Sequence, residues 1–240
     1  MIYFIIGAMI GSFMLCLTYE EKSLMRNSHC DYCKHFLHWF DLIPIISFIL
    51  LRGRCRYCGV QLSHKYFISE VLSGLALVLI HFYPVLDITL LSTIALILIP
   101  LAIYDTEHLM IPNDILFLLL LLLMIIRINY LFNERTFDSS TIFYKFLIVL
   151  LLHLFFFLTK SIGYGDIKLF TILLIFLPLS FFIALFFMTY VIGGMASIIF
   201  LSYKTALKRM PLVPFIASAF FVVLILYEEI KKLYFGGFVQ

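Results

Sequence analysis

The sequence predicts an all-α, polytopic membrane protein of about eight transmembrane helices. Two observations set this. Of the 240 residues, 64% are hydrophobic and only 13% are charged, about half the charge of an average soluble domain. The apolar residues also fall into runs of membrane-spanning length, bounded by charges, Pro and Gly. Such a chain is not a water-soluble globular domain, a disordered chain or a nucleic-acid binder with a basic face. No soluble second domain, low-complexity tract or internal repeat stands out.

The first run is Ile2 to Thr18. It has no basic segment before it and no small-residue cleavage site after it, so it reads as an uncleaved helix. Residues 1–18 are therefore expected to form the first transmembrane helix, residues 19–66 a polar loop, and residues 67–240 the membrane core. The loop is interrupted by the apolar piece Leu42–Leu51, which is too short to cross and contains Pro44; it is expected to be interfacial. The remaining spans are Phe67–Tyr83, Ile88–Tyr104, Ile115–Phe132, Thr141–Thr159, Ile167–Leu177, Phe181–Tyr203 and Leu212–Tyr227. Connections are short, so consecutive helices should pack antiparallel.

Lys and Arg set the orientation. If the 19–66 loop faces the cytoplasm, that side collects Lys22, Arg26, Lys34, Arg52, Arg54, Arg56 and Lys65. It also collects Lys160, Lys168, Lys204, Lys208 and Arg209, leaving five of the seventeen basic residues elsewhere. Both termini then lie outside.

Four of the five cysteines are arranged as Cys30-Asp31-Tyr32-Cys33 and Cys55-Arg56-Tyr57-Cys58, with 21 residues between the pairs. Two CxxC pairs in one loop have the spacing of a tetrahedral thiolate site, which points to a structural zinc. A cytoplasmic loop is no place for stable disulfides. Four thiolates leave no open coordination position, so the metal would fold the loop rather than catalyse. His29, His35 and His38 are not expected to be ligands. Cys16 lies in the first helix and reads as packing.

Ionisable residues in membrane spans are costly and are functional suspects. Asp105 ends the third span in Tyr104-Asp105-Thr106-Glu107-His108. Asp166 closes Gly163-Tyr164-Gly165-Asp166 at the start of the sixth. Both fall at the same membrane face by the topology above. Two close carboxylates cannot both ionise, so a pair can share a proton, with one activating water and the other polarising a carbonyl. Gly163 and Gly165 would let an extended substrate backbone approach. The same pair could serve a proton-coupled transporter, and an Asp at a helix start is often only a cap. Glu70, just inside the second span, could bind a new amine or a cofactor, or pair with Lys65 or Arg56. Glu107 could orient a partner or be a solvated loop residue. Lys168 could act on an aspartate or reach to the interface. Gly7 and Gly11 read as helix packing.

These residues resemble the prepilin peptidases, the type IV leader peptidase family of GxGD intramembrane aspartic proteases. Leu42–Ser47 and Leu51–Gly59 look like that family's loop, and Tyr66 with Glu70–Gly74 like its next helix entry. Asp105, Glu107, Ile111 and Pro112 match its D-x-E-x-x-x-I-P element, and Gly163, Gly165, Asp166 and Lys168 its G-x-G-D-x-K element. The resemblance implies an endopeptidase of the bacterial cell membrane. It would cut the basic leader from prepilins and pseudopilins at the cytoplasmic face, after a glycine, with Asp105 and Asp166 catalytic. Many members then methylate the new N-terminus with S-adenosylmethionine. The first helix departs from the pattern: Leu15 stands where the family has asparagine, and Glu20 where it has arginine. Pro211–Phe215 matches only loosely. A presenilin- or signal-peptide-peptidase-like protease is the alternative within this chemistry, since Tyr104-Asp105 and GYGD also fit that pattern. A purely structural membrane component is a further reading.

Overall fold

The computed structural model describes residues 1–19, 28–30, 32–133, 139–160, 162–202 and 210–232, with the side chains of 129–133, 139–140 and 200–202 outside the description. Lys22, Arg26, Arg135, Lys204, Lys208 and Arg209, which entered the charge count, therefore lie outside the described residues, as do Glu20 and Asp31. The described residues form nine α-helices and one 3-10 turn, without a named strand. The helices are α1 (Ile2–Tyr19), α2 (Ile46–Leu50), α3 (His64–Phe82), α4 (Ile88–His108), α5 (Asn113–Asn133), α6 (Ser139–Thr159), α7 (Tyr164–Phe176), α8 (Leu179–Ser202) and α9 (Val213–Ile230). The 3-10 turn is Trp39–Leu42.

Eight of these are the expected spans. Six are long and apolar enough among the described residues to cross a membrane: α1, α3, α4 and α9, together with the 141–159 and 179–199 stretches of α6 and α8. The exceptions are α5 and the 13-residue α7, which at 1.5 Å per residue is about 20 Å long. The protein is thus a multi-pass membrane protein, and helix ends shift by a few residues from the apolar runs. α3 starts at His64 because Ser63 caps it, accepting from the Lys65 N–H. α4 starts at Ile88 because Asp87 accepts from the Thr89 and Leu90 N–H groups. It runs past Tyr104 to His108, and Leu109 closes it in the left-handed conformation with φ 53°. Charges in the last turn are compatible with helix; an apolar-run reading stops too early there.

α4 is the hub. It packs against α1, α3, α5 and α9, and eleven of its residues are buried, including Pro100 and Asp105. α7 buries Ile167, Leu169, Phe170, Leu173 and Leu174 nearby. Few residues of α6 and α8 are buried, as suits helices at the lipid boundary, and α8 packs on α9. α1 packs on α3 with backbones nearly touching. A Cβ at Gly7 would lie 2.5 Å from the Ser73 carbonyl oxygen, and one at Gly11 would overlap the Ser73 hydroxyl. Small residues at this crossing let dispersion act over the full contact length. Lys145 of α6 donates to the carbonyls of Ile175 and Leu177, at 2.9 and 2.8 Å. It thereby satisfies the open end of α7, which a short helix in lipid cannot leave bare.

Between α1 and α3 the loop builds two matching knuckles. The Lys34 N–H donates to the Cys30 carbonyl and the Gly59 N–H to the Cys55 carbonyl, both at 2.9 Å. Lys34 and Gly59 both have positive φ, at 56° and 70°. Isolated bridges His29–Phe36 and Arg54–Gln61 flank them equivalently. The expectation of no internal repeat is corrected here: an eight-residue unit occurs twice. Its sequence signal is short, since the two units share only the cysteine pairs and the tyrosine before each second cysteine, Tyr32 and Tyr57, and the turn needs geometry rather than a residue type.

Candidate active site

Asp105 sits in the last turn of α4 with only 4% of its surface exposed. Its Oδ2 accepts from the Val213 N–H at 3.1 Å, and its carboxylate also interacts with the Leu212 N–H. These groups begin α9, where Pro214 occupies the first turn. The first N–H groups of a helix have no intrahelical partner and carry the positive end of its dipole. A buried carboxylate fits there without a cation.

Asp166 is the third residue of α7. Gly163 caps that helix in extended conformation, and its backbone interacts favourably with the Asp166 carboxylate. A Cβ on Gly163 would stand 2.7 Å from Asp166 Oδ2, and one on Gly165 would stand 3.0 Å from Ile111 Cβ. The first glycine gives the carboxylate its room. The second lets α7 lie against the α4–α5 connection. Asp166 and Asp105 are close enough to interact electrostatically, and Tyr190 of α8 also senses Asp166. Two helices that begin and one that ends at this level thus gather two carboxylates, half-buried and buried, around the 109–112 connection.

The other sequence candidates lie apart from the pair. Lys168 donates to Asn113 Oδ1 at 2.8 Å and lies 4.9 Å from the Tyr164 ring centroid, so it ties α7 to the start of α5. Glu107 accepts from the Tyr19 hydroxyl at 2.7 Å and from Lys65 Nζ at 3.3 Å, while Lys65 sits over the Tyr19 ring. Glu70 accepts from the Ser12 hydroxyl and from the Ile45 N–H, each at 2.7 Å. Its suggested pairing with Lys65 or Arg56 is corrected, because Lys65 is taken by Glu107 and Arg56 by Asp41. Sequence reasoning missed the Val213 and Leu212 donors, Tyr190 and the Asp41 cluster. The family-like Pro211–Phe215 stretch was the only available pointer to the first two.

A groove of about 1070 Å³ opens between α3, α4 and α9 below the cysteine loop. Its walls are apolar, with Leu72, Leu75, Ile99, Ile103 and Phe221. Its mouth carries Cys30, Tyr32, His64, Lys65 and Glu107.

The four cysteine sulfurs lie within 4.8 Å of one another, with Cys30 and Cys58 Sγ at 3.9 Å. Tetrahedral zinc with ~2.3 Å bonds sets sulfurs ~3.8 Å apart, so the donor set fits that ion. No histidine joins the group among the described residues. N–H groups of Cys33 and Tyr32 aimed at Cys30 outweigh its burial and bring that thiol down to about 7. Thiolate is the ligand form.

Residues 5–83 match the bacterial peptidase A24 N-terminal domain, and residues 90–198 match the type IV leader peptidase family. Between them they cover more than three-quarters of the chain. The chain belongs to the type IV leader peptidase family. Similar curated proteins include the prepilin leader peptidase/N-methyltransferases of Dichelobacter nodosus and Bacillus subtilis. The first is 29% identical over 90% of this chain and 76% of that protein, the second 28% identical over 88% and 87%. The Myxococcus xanthus protein of the same name is 34% identical over 45% of this chain. That match covers only 34% of the Myxococcus protein. No solved structure matches. The expected enzyme class, a leader peptidase, is borne out by this membership.

Proposed function

We propose that this leader peptidase cuts the leader from prepilin-like precursors at the cytoplasmic membrane face, with Asp105 and Asp166 as the catalytic pair. The observation that supports it is two acids from separate helices meeting at one level with no cation between them among the described residues. One carboxylate takes a proton from water as its oxygen attacks the scissile carbonyl. The other, protonated, donates to the carbonyl oxygen as the tetrahedral intermediate forms. Collapse breaks the C–N bond, and a carboxyl proton passes to the departing amine. Gly163 leaves space for the Asp166 carboxylate, and Gly165 lets the start of α7 close against Ile111 beside Asp105's helix. The basic face of the chain, by the charge count, is the side on which these acids lie, and a cytosolic leader would meet them there.

The N-methyltransferase activity in the relatives' names is part of the proposal. The mouth of the α3–α4–α9 groove has a carboxylate, Glu107, and an ammonium, Lys65, side by side with Tyr66, and the volume suits a cofactor. Those two groups pair with each other here; with S-adenosylmethionine bound they would exchange that contact for its amine and its carboxylate. That cofactor, when bound, supplies a methyl group for the new N-terminal amine. Zinc is assigned to Cys30, Cys33, Cys55 and Cys58, as a fold staple.

The test is cleavage of a prepilin-like peptide carrying its leader by purified wild type, Asp105→Asn and Asp166→Asn. Both variants should remain helical by circular dichroism and lose cleavage by at least a thousandfold. If both cut like wild type, the transporter and structural readings return. A 14-dalton gain of the product with S-adenosylmethionine decides methylation.

A further inference from the structure

The apolar piece between the two cysteine knuckles is held by a bond to a membrane helix. Ile45 has φ 63° and ψ −51°, and the Ile46 N–H donates to the Pro44 carbonyl at 2.6 Å. This is a γ-turn with positive φ, a strained conformation for a β-branched residue. Strain of this kind persists where neighbours over-determine it, and the neighbour is Glu70. Glu70 lies six residues inside α3, and its other partner, Ser12, lies seven residues before the end of α1. At 1.5 Å per residue, the turn is pinned about 9–10 Å below the helix ends. Those ends are marked by the Tyr19–Lys65–Glu107 contacts. The turn is thus bonded to residues inside the α1 and α3 spans rather than to the ends of those helices.

The side chains around this pinned turn point away from the protein. Trp39 is 77% exposed and Leu50 75%, and Leu42, Ile46 and Ile49 are also exposed. Beyond them the exposed Arg52 and Arg54 face the loop side. Asp41, the acid of the segment, turns inward. Arg56 Nε, the Tyr57 hydroxyl and the His38 N–H donate to it at 2.8, 3.0 and 3.2 Å, and its side chain is only 3% exposed. The segment therefore offers an apolar edge with a basic rim and a neutralised acid, at a depth where the neighbouring helices are in the bilayer. Apolar side chains, a tryptophan and a basic rim are the composition of an interfacial segment.

We propose that Trp39–Leu51 is a wedge in the leaflet on the tetracysteine side. Leu42, Ile46, Ile49 and Leu50 lie among acyl chains, Arg52 and Arg54 lie on anionic headgroups, and Glu70 is the pin that holds the wedge down. The zinc knuckles then stand on the wedge, and the cysteine loop is seated on the membrane rather than hung in the cytosol. The inference does not depend on the aspartates being catalytic.

Trp39 is the sole tryptophan, so wild type already carries a reporter. A second is Leu50→Trp in a Trp39→Phe background. Each is reconstituted into vesicles of phosphatidylcholine with phosphatidylglycerol, with or without brominated acyl chains. Blue-shifted emission that loses most of its intensity in brominated lipid and is poorly quenched by acrylamide supports the wedge. Adding Glu70→Ala to the Leu50→Trp reporter should shift its emission to the red and raise acrylamide quenching several-fold. Emission like that of free tryptophan, quenched by acrylamide and indifferent to brominated lipid, overturns it. A blue shift that appears only at high protein-to-lipid ratio also overturns it, because the surface is then a contact between copies.

Discussion

Gly163→Ala separates the geometry of the aspartates from the stability of the fold. The glycine has φ −62°, which any residue adopts, so alanine imposes no backbone strain. The new Cβ would lie 2.7 Å from Asp166 Oδ2, where about 3.4 Å is ordinary contact, and no other atom but Asp166 Cγ is within 4 Å. The carboxylate must yield by about 0.7 Å. Because a ~1 Å misplacement costs roughly a hundredfold in rate, kcat should fall by about 10- to 100-fold, or ~1.4–2.7 kcal/mol of barrier. Stability should fall only by ~1 kcal/mol, the difference between glycine and alanine as a helix cap, which is a few degrees of Tm at this size. Initial cleavage rates and thermal unfolding in detergent read the two effects. Gly194→Ala, with nothing within 4 Å of its new Cβ, should leave the rate unchanged. A Gly163→Ala enzyme within twofold of wild type would refute the claim that this glycine guards a working carboxylate.

Three further outcomes are expected. Gly7→Ala places a methyl against the Ser73 backbone, which cannot move alone, and should cost about 1–3 kcal/mol; an unchanged Tm would deny the close α1–α3 approach. Cys55→Ser, or a strong chelator, should reduce bound zinc from about one per chain to none and expose residues 28–62 to protease, and retention of stoichiometric zinc by the variant would count against the tetracysteine assignment. Burial raises the Asp41 carboxyl, but the Arg56, Tyr57 and His38 donors outweigh it and hold the group below its ordinary 3.8. A depressed folded pKa contributes stability above the unfolded value and loses it as pH falls through the folded one. Proteolysis of the loop should thus rise only below about pH 4, and Asp41→Asn should abolish that step.

The spans were legible in the sequence because lipid demands long apolar runs, and each of the eight corresponds to a helix. The two aspartates were legible because a carboxylate in such a run is rare. The cysteine cluster was legible because its two CxxC pairs carry the geometry locally. What surrounds the candidates was not. Nothing near Glu70 announces Ile45 or Ser12, which lie 25 and 58 residues away, and nothing near Asp105 announces a donor 108 residues on. Lys65 was read as a partner of Glu70, five residues on, whereas it pairs with Glu107, 42 residues away, a long-range contact that charge patterning does not encode. Ile45 is the clearest case: a β-branched residue predicts extended backbone, and the turn it makes instead is tied to Glu70, 25 residues on, through its N–H.

Pro100 has a mechanical consequence. It lies inside α4, five residues before Asp105, and it has no N–H to give the carbonyl one turn back. The rung of the helix ladder that proline removes is already gone in the resting molecule, so flexing there breaks no hydrogen bond. Beyond that level Asp105 is held by the Val213 N–H of α9. The last two turns of α4 therefore take their position from α9 as well as from the helix ladder that the proline interrupts.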